Sequence, residues 1–240
     1  MRIPREGAQP CVSLKINTGL NESTASDLHQ TGMAVVDSFV PPLLVNSLAS
    51  EMVQLASSGY LQLTPQSTIG IRDDFVGWLT ADEASVHAGS VTSTVVQAMR
   101  GLAWELQKHS QFPPLFAPTR IMATHYPGNG AKYVAHRDND GGDDHTSDRC
   151  WTCIVYCNQG WEPSDGGLLR CHLGPNDETT QPLKQSVDAT HFVDVPPVAG
   201  TLVIFDSRRI LHEVLPAFKS RFALTLWIDD SRAQSGPTKE

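Results

Sequence analysis

The sequence predicts a mainly β fold, a two-sheet jelly roll preceded by a helical region. Three observations support this fold class. Before Arg120, apolar residues recur at helical spacing, whereas after it short apolar segments alternate with polar turns. The later region holds about eight such segments, which suits two packed antiparallel sheets. At 240 residues, the chain has a size that all-β folds often reach as one domain. The predicted strands are Ile121–His125, Val134–Asp138, Trp151–Cys157, Leu168–His172, Phe192–Val195, Thr201–Asp206, Glu213–Pro216 and Arg221–Ile228.

The helical region begins with a short segment and continues into a longer helix. Ser23–Thr31 is predicted to form one or two helical turns closed by Gly32, with a short buried strand at Met33–Asp37. Pro41 and Pro42 then begin a helix, because proline is tolerated in a first helical turn. Its apolar stripe and C-terminal glycine are Leu44, Leu48, Met52, Leu55 and Gly59.

Two further elements precede the jelly roll. Ile69–Leu79 is predicted to form a hairpin or strand pair at a rim. A second helix is predicted to begin near the candidate N-cap Ser90. Its stripe is Val95, Met99, Leu102 and Leu106. We interpret both helical stripes as faces that pack against a sheet.

Composition changes mark the predicted domain boundaries and loops. We expect one domain at residues 23–232, with flexible tails at 1–22 and 233–240. Two polar insertions, Asn139–Asp148 and Gly174–Thr190, are predicted to be mobile loops near the mouth of a site.

The charge balance limits the classes of partner. Lys and Arg number 18 against 26 Asp and Glu, for a net charge of −8. This charge argues against a nucleic-acid partner, which would require a basic surface. The N-terminus lacks the apolar core of a signal peptide, and no apolar run reaches membrane-spanning length. The chain is therefore predicted to be neither secreted nor anchored in a membrane.

Four of the five cysteines lie between Cys150 and Cys171. The spacing of Cys150, Cys153 and Cys157 suggests a metal site. A single extended strand, however, cannot direct three thiolates at one ion. We interpret these residues as small, partly buried strand residues in a reducing compartment and predict no disulfide.

A candidate metal site follows the Pro-Gly-Asn-Gly turn at residues 127–130. His136 and Asp138 are separated by one residue, so on an extended strand both point to the same side. An imidazole nitrogen and a carboxylate oxygen there can hold one cation. His212, in Ile-Leu-His-Glu-Val, is the best third ligand. Two histidines and one carboxylate leave three coordination positions open, as in non-haem Fe(II) oxygenases.

An arginine strengthens this interpretation. Arg221 lies nine residues beyond His212, in a predicted strand. A buried guanidinium needs a carboxylate partner, because leaving it unpaired costs several kcal/mol. The far carboxylate of a dicarboxylate cosubstrate would supply a bidentate partner.

With these residues, the chain resembles a known family: the 2-oxoglutarate- and Fe(II)-dependent prolyl 4-hydroxylases of the cytosolic oxygen-sensing kind. These are the enzymes that act on hypoxia-inducible factor, and their protist relatives. The resemblance runs from about Met33 to Asp229 and is densest in Tyr126–Asp138, Arg149–Asn158, Gly166–Arg170 and Ile204–Trp227. It implies a double-stranded β-helix, a cupin-like jelly roll with helices packed on one sheet. It also implies Fe(II), 2-oxoglutarate and dioxygen as cofactors, with ascorbate as reductant, and catalytic metal ligands at His136, Asp138 and His212.

The resemblance further implies a cosubstrate pocket around Arg221. Tyr156 would donate its hydroxyl to the carboxylate that Arg221 anchors, and Thr225 shares the face of Arg221 by strand alternation. The remaining pocket residues would be Met122, Tyr126, Ile154, Leu169 and Val214. A plain core role for the apolar members remains an alternative.

A substrate-binding rim is also implied. Arg72 and Asp74 match the Arg-x-Asp of a mobile loop in the family, and Tyr133, Arg149 and Trp227 match positions at the barrel mouth. The alternative is a solvated ion pair with surface aromatics. The loop reads Arg-Asp-Asp where the animal enzymes have Arg-Gly-Asp. The identity of the substrate is therefore the property that the resemblance implies least firmly.

The implied activity is hydroxylation of C4 of a proline in a cytoplasmic or nuclear protein. The enzyme is expected to be a monomer, and oxygen sensing is one role that the resemblance suggests. Candidate targets are a degron like that of hypoxia-inducible factor, the ubiquitin-ligase adaptor subunit, or a translation factor. A second hypothesis is an oxygenase of another substrate, such as a free amino acid or a different peptide. A third is a catalytically inactive jelly-roll binding module.

Overall fold

The computed structural model describes residues 16, 20–109, 111–141, 148–173 and 191–232. The predicted tails lie almost wholly outside these residues, as do the insertion Gly174–Thr190 and most of Asn139–Asp148. The helices are α1 (Glu22–Thr31), α2 (Pro42–Ser57), α3 (Ala81–His87) and α4 (Ser90–Gln107). The strands are β1 (Met33–Val36), β2 (Gln62–Leu63), β3 (Phe75–Leu79), β4 (Leu115–Phe116), β5 (Ile121–Tyr126), β6 (Ala131–His136), β7 (Arg149–Tyr156), β8 (Leu169–His172), β9 (Phe192–Val195), β10 (Leu202–Asp206), β11 (Leu211–Ala217) and β12 (Arg221–Asp230).

The strands form two antiparallel sheets. The larger, eight-stranded sheet has the order β1-β10-β7-β12-β5-β3-β2, with β4 pairing with β12. The smaller, four-stranded sheet has the order β6-β11-β8-β9. Apart from the pairs β2–β3 and β8–β9, neighbouring strands are not consecutive along the chain, as expected when a chain winds back and forth between two sheets. The predicted two-sheet jelly roll is confirmed.

The helices cover one face of the larger sheet. Alternate β7 residues, including Cys153 and Val155, share a buried cluster with the helices. That cluster contains the predicted helical stripes, Leu44, Leu48, Met52, Leu55, Val95, Met99, Leu102 and Leu106. The intervening β7 residues Ile154 and Tyr156 belong to a second cluster, together with Leu169 of the smaller sheet. The larger sheet therefore separates the helical layer from the space between the sheets, and the predicted packing of helices on one sheet is confirmed.

The start of α4 differs from the prediction. Its N-cap is Gly89, and Ser90 is the first helical residue. The carboxylate of Glu51, on α2, accepts hydrogen bonds from the backbone N–H groups of Val91 and Thr92 at 3.2 and 2.6 Å. A side chain at position 89 would collide with that carboxylate. The prediction of Ser90 as N-cap was wrong because another helix supplies the capping group.

Strand boundaries near the site also differ from the predictions. Only Phe75–Leu79 of the predicted strand pair is a strand; its partner β2 lies earlier, and a short 3-10 helix at Pro65–Ile69 separates the two. β6 ends at His136 and does not continue to Asp138. The short elements α3 and β4 were not predicted.

Buried thiols are a further feature of the described residues. Cys153, Cys157 and Cys171 are buried, and Cys150 is partly buried. All four are free thiols. Among the described helices, none is long and apolar enough to cross a membrane.

Candidate metal and cosubstrate site

The three predicted metal ligands converge in the structure. The ligand atoms of His136, Asp138 and His212 all lie within 4.8 Å of one another. The Nε2 atom of His136 is 3.6 Å from Oδ1 of Asp138, and Nε2 of His212 is 3.6 Å from Oδ2. Asp138 and His212 are buried, while His136 is partly exposed. Two nitrogen donors and one oxygen donor are thus close enough to bind a single ion.

Strand pairing brings the two histidines together. His136 and His212 are cross-strand partners on β6 and β11, with ring centroids 4.3 Å apart. The Nδ1 atom of His136 lies 2.9 Å from the carbonyl of Val134, and Nδ1 of His212 lies 3.3 Å from that of Ile210. A carbonyl oxygen can only accept, so Nδ1 must carry the proton in each neutral ring. The Nε2 atoms therefore keep the lone pairs that a metal needs.

Asp138 lies beyond the end of β6 and is held by the larger sheet. The hydroxyl of Thr152, on β7, donates to Oδ2 of Asp138 at 2.7 Å and lies 2.9 Å from the Ser207 hydroxyl. Burial raises the pKa of Asp138, but His212, His136 and the Thr152 hydroxyl outweigh it and hold the pKa below its ordinary range. Burial lowers the pKa of His212 to about 4. An ionised carboxylate and a neutral imidazole are the forms that bind a divalent cation.

Arg221 begins β12 and is 4% exposed. Its Nε donates to the carbonyl of Gly167 at 2.8 Å, and its guanidinium carbon lies 5.1 Å from the ring centroids of both Tyr126 and Tyr156. Among the described residues, no carboxylate forms an ion pair with it. The hydroxyl of Tyr156 is likewise buried without a hydrogen-bond partner in the described ranges. Burial raises the pKa of Tyr156, so the phenol remains a donor. A carboxylate would satisfy both groups.

One cavity of about 440 Å³ connects the metal ligands with Arg221. Six predicted cosubstrate residues line it: Met122, Tyr126, Ile154, Leu169, Val214 and Thr225. Tyr156 is fully buried and adjoins the cavity through Arg221, whose guanidinium carbon lies 5.1 Å from the Tyr156 ring centroid. The structure thus brings the predicted pocket together, with Tyr156 next to Arg221.

Four of the five predicted substrate residues line the same cavity, and Asp74 does not. Asp74 is 0% exposed and Arg72 is 8% exposed, so their ion pair is buried. Arg72 Nε and Nη2 donate to the two carboxylate oxygens of Asp74, both at 2.6 Å. The prediction of substrate contact does not fit Asp74, because both of its oxygens are engaged by Arg72. Its evident role is to hold Arg72, and the alternative of a solvated ion pair was wrong.

Aromatic side chains support the cations at the mouth. The guanidinium carbon of Arg72 lies 4.5 Å from the ring centroid of Tyr133, which stacks on His136 at 3.9 Å. Arg149 lies 4.1 Å from the ring centroid of Trp227. These pairings place flat apolar surfaces and fixed positive charge around the opening of the cavity.

Several residues of the site were not predicted from the sequence, and two of them contact predicted site residues. Thr152 bonds the carboxylate of Asp138, and strand alternation with Ile154 could have placed it on the inner face. Trp78 lines the cavity and lies 5.7 Å from Trp227, ring centroid to ring centroid. It is opposite Met122 in the register of β3 and β5, a pairing that the sequence did not reveal.

The residues fit the groups implied by the sequence. Two imidazole nitrogens and one carboxylate oxygen suit Fe(II) with open coordination positions. The Arg221 guanidinium, which has no carboxylate partner within the described ranges, and the Tyr156 phenol suit the far end of a dicarboxylate. Fold and site together define a jelly-roll protein with a two-histidine, one-carboxylate centre, the class of the non-haem iron oxygenases.

Comparisons with known proteins identify the family. The model of the 2OG-Fe(II) oxygenase superfamily matches residues 121–229. Mouse prolyl hydroxylase EGLN3 is 30% identical over 224 residues, covering 89% of this chain and 84% of that protein. A prolyl-4-hydroxylase structure from Pseudomonas putida has a TM-score of 0.68 at 29% identity, covering 86% of this chain and 97% of the other. The chain belongs to the prolyl hydroxylase family of 2OG-Fe(II) oxygenases, whose name states the cofactors, 2-oxoglutarate, Fe(II) and dioxygen.

Relatives also differ in length. Rat Egl nine homolog 1 is 30% identical over 237 residues, which cover 95% of this chain but 63% of that relative. The chain therefore spans less than two thirds of that relative.

Proposed function

We propose that this protein is a 2-oxoglutarate- and Fe(II)-dependent dioxygenase that hydroxylates C4 of a proline in a protein substrate. The observation that carries the proposal is the convergence of His136, Asp138 and His212 in a cavity that Arg221 also lines, without an ion-pair partner among the residues that the structure describes. A metal site alone would suit many activities. A metal site and a dicarboxylate anchor in one cavity suit this chemistry.

In this proposal each side chain has one task. His136, Asp138 and His212 hold Fe(II), and the Nδ1 bonds of the histidines fix the orientation of both rings. Arg221 and Tyr156 bind the far carboxylate of 2-oxoglutarate. When bound, the iron and 2-oxoglutarate would supply the oxidising chemistry, in which one atom of dioxygen ends in the succinate formed with carbon dioxide from 2-oxoglutarate and the other enters the substrate as a hydroxyl group. No side-chain acid or base is needed.

The mouth of the cavity fits an extended peptide. Trp227 lines the mouth with an apolar ring that a proline can contact, and Arg72 and Arg149 are fixed against the rings of Tyr133 and Trp227. A bound peptide would also cover the mouth and exclude water from the cavity. Asp74 supports this surface through Arg72 and does not itself contact the substrate.

The proposed targets are the protein classes that the family resemblance implies: a degron like that of hypoxia-inducible factor, or a ubiquitin-ligase adaptor subunit. We propose a cytoplasmic or nuclear location, which the buried free thiols Cys153, Cys157 and Cys171 support because such thiols are typical of reducing compartments. The net charge of −8 favours a protein partner over nucleic acid.

The test is succinate formation from 2-oxoglutarate, measured with Fe(II) and ascorbate in the presence and absence of prolyl peptides. We expect turnover to rise with peptide, and mass spectrometry to detect one added oxygen on proline. A matched peptide with alanine at the target position should give only the basal rate. The variant His212→Ala serves as the enzyme control.

The other outcomes identify the alternatives. Turnover that rises only with free amino acids or with proline-free peptides would support an oxygenase of another substrate. Metal binding without any turnover, with all substrates tried, would support an inactive binding module. Either result would overturn the proposal of prolyl hydroxylation.

A further inference from the structure

The start of β12, where Arg221 projects into the cavity, lacks a full strand partner on one side. On the β5 side, Arg221 pairs with Tyr126. On the β7 side, the paired register ends at Ala223, opposite Tyr156. One more backbone bond, from the Cys157 N–H to the Phe222 carbonyl at 3.2 Å, follows before the chain turns away. The backbone next to Arg221 therefore needs support from something other than strand pairing.

The side chain of Asn158 supplies that support. Its Oδ1 accepts a hydrogen bond from the backbone N–H of Phe222 at 2.5 Å. Its Nδ2 donates to the carbonyls of Phe222 and Pro197 at 3.1 and 2.8 Å. Asn158 is 9% exposed, so water cannot readily replace these bonds.

The chemistry of the three partners fixes the amide orientation. A backbone N–H must meet an acceptor, and two carbonyls must meet donors, so Oδ1 faces the N–H of Phe222 and Nδ2 faces the carbonyls. Only a carboxamide offers an acceptor and two donors on a side chain as short as that of Asn158. Aspartate would set a carboxylate oxygen against two carbonyl oxygens. The Asn158 amide thus acts as a short substitute for the missing strand backbone.

A second contact fixes the side chain of Arg221. The Nε of Arg221 donates to the carbonyl of Gly167. A Cβ at position 167 would lie 2.9 Å from Cδ of Arg221, so the arginine packs directly on the glycine. The Gly167 carbonyl orients the guanidinium, while Asn158 holds the backbone from which the side chain extends.

We propose that Asn158 is a positioning residue for cosubstrate binding, which acts by holding the backbone at Phe222 so that Arg221 is aligned with the carboxylate of 2-oxoglutarate. The inference rests on the proposed function, in which Arg221 anchors 2-oxoglutarate. It adds a residue that touches neither metal nor cosubstrate. Its loss should weaken cosubstrate binding while leaving the metal site intact, because His136, Asp138 and His212 do not contact it.

The experiment measures 2-oxoglutarate binding to the Mn(II)-loaded protein by isothermal titration calorimetry, without peptide and without turnover. Asn158→Ser keeps one short polar group in place of the three-bond carboxamide and should raise the Kd for 2-oxoglutarate by about tenfold, a free-energy change comparable to the net contribution of one hydrogen bond. Asn158→Leu removes all three bonds and should raise it further. The Kd for Mn(II), titrated separately, should not change in either variant.

The matched control is Glu51→Gln, which weakens a partly buried polar contact in the helical layer. It should lower the melting temperature without changing the Kd for 2-oxoglutarate. This comparison separates positioning from general destabilisation.

Each result has a distinct meaning. If the unsubstituted protein binds Mn(II) but not 2-oxoglutarate, the proposed function fails. If the unsubstituted protein binds 2-oxoglutarate and a folded Asn158 variant binds it equally well, only the positioning role fails. Equal weakening in Glu51→Gln, or failure of both Asn158 variants to fold, would assign Asn158 to fold stability and would also overturn the positioning role.

Discussion

The buried ion pair between Arg72 and Asp74 permits a quantitative prediction. The change is Asp74→Asn, which keeps the side-chain volume and removes the charge. Asp74 is 0% exposed and Arg72 is 8% exposed, and two hydrogen bonds of 2.6 Å join them. Removing one partner of such a pair leaves a buried charge without compensation, which costs about 3–5 kcal/mol. Asparagine can still accept one hydrogen bond, so we expect the lower end, about 3 kcal/mol.

The loss should also affect the substrate side of the site. The segment of Arg72 is attached to β6 by backbone hydrogen bonds: the N–H of Val134 donates to the Ile71 carbonyl at 3.0 Å, and that of Asp73 donates to the Lys132 carbonyl at 2.9 Å. An uncompensated guanidinium would pull toward solvent and strain these bonds. We therefore expect the KM for a prolyl peptide to rise while the Kd for Mn(II) stays constant.

The assay is urea unfolding followed by tryptophan fluorescence, with linear extrapolation to water. A loss of about 3 kcal/mol would lower the melting temperature by roughly 6–12 °C for a domain of this size. The matched control is Glu105→Gln, which removes the partner of Lys108 in a pair with side chains 21% and 46% exposed. Such a surface pair contributes about 1 kcal/mol or less.

A double-mutant cycle completes the test. The apolar replacement Arg72→Met with Asp74→Leu should recover most of the stability, because the net contribution of a buried pair is small once both charges are absent. Two results would show that solvent screens the pair and that the reasoning is wrong. One is a loss of unfolding free energy in Asp74→Asn no larger than that in Glu105→Gln. The other is a double variant whose loss equals the sum of the losses in Arg72→Met and Asp74→Leu alone.

Three further predictions concern the metal and cosubstrate. His212→Ala should abolish detectable Mn(II) binding in a titration while circular dichroism shows a retained fold; unchanged metal affinity would contradict the ligand assignment. Arg221→Ala should raise the Kd for 2-oxoglutarate by about a hundredfold, since truncating one partner of a buried charged contact costs about 2–5 kcal/mol, and should leave Mn(II) binding intact; equal loss of peptide and cosubstrate affinity would count against it. Thr152→Val should weaken Mn(II) binding by about tenfold through the lost bond to Asp138, and a calorimetric titration that shows no change would refute this role.

The metal site could be predicted from the sequence because its three ligands are of metal-binding residue types and two of them are separated by a single residue. His136 and Asp138 are one residue apart, and both still face the same point although β6 ends at His136. His212 was found from its residue type and its place before Arg221. The register that pairs His212 with His136 could not be read from either strand alone, because register is set by packing across the sheet.

Contacts between distant segments could not be predicted. Ser90 looked like an N-cap, yet Glu51 of another helix caps α4. Asp74 was predicted to lie at the rim. It is buried because the segment that contains Arg72 pairs with β6, a contact that the local sequence does not reveal. In contrast, α3 carried a local signal that was overlooked: Thr80 and Glu83 form a capping box at its start.

At each end of the cavity, a side chain of the larger sheet forms a hydrogen bond with a residue that flanks a strand of the smaller sheet. The Thr152 hydroxyl reaches Asp138 beyond β6, and the Arg221 guanidinium reaches the Gly167 carbonyl ahead of β8. Backbone ladders fix distances within a sheet, but they do not set the distance between two sheets. These two side-chain bonds, together with the apolar cluster that the sheets share, therefore hold the sheets at the spacing that the cavity requires. Because the same groups bind or orient the metal ligand and the cosubstrate, changes at Thr152 or Arg221 should couple lost binding to lost stability.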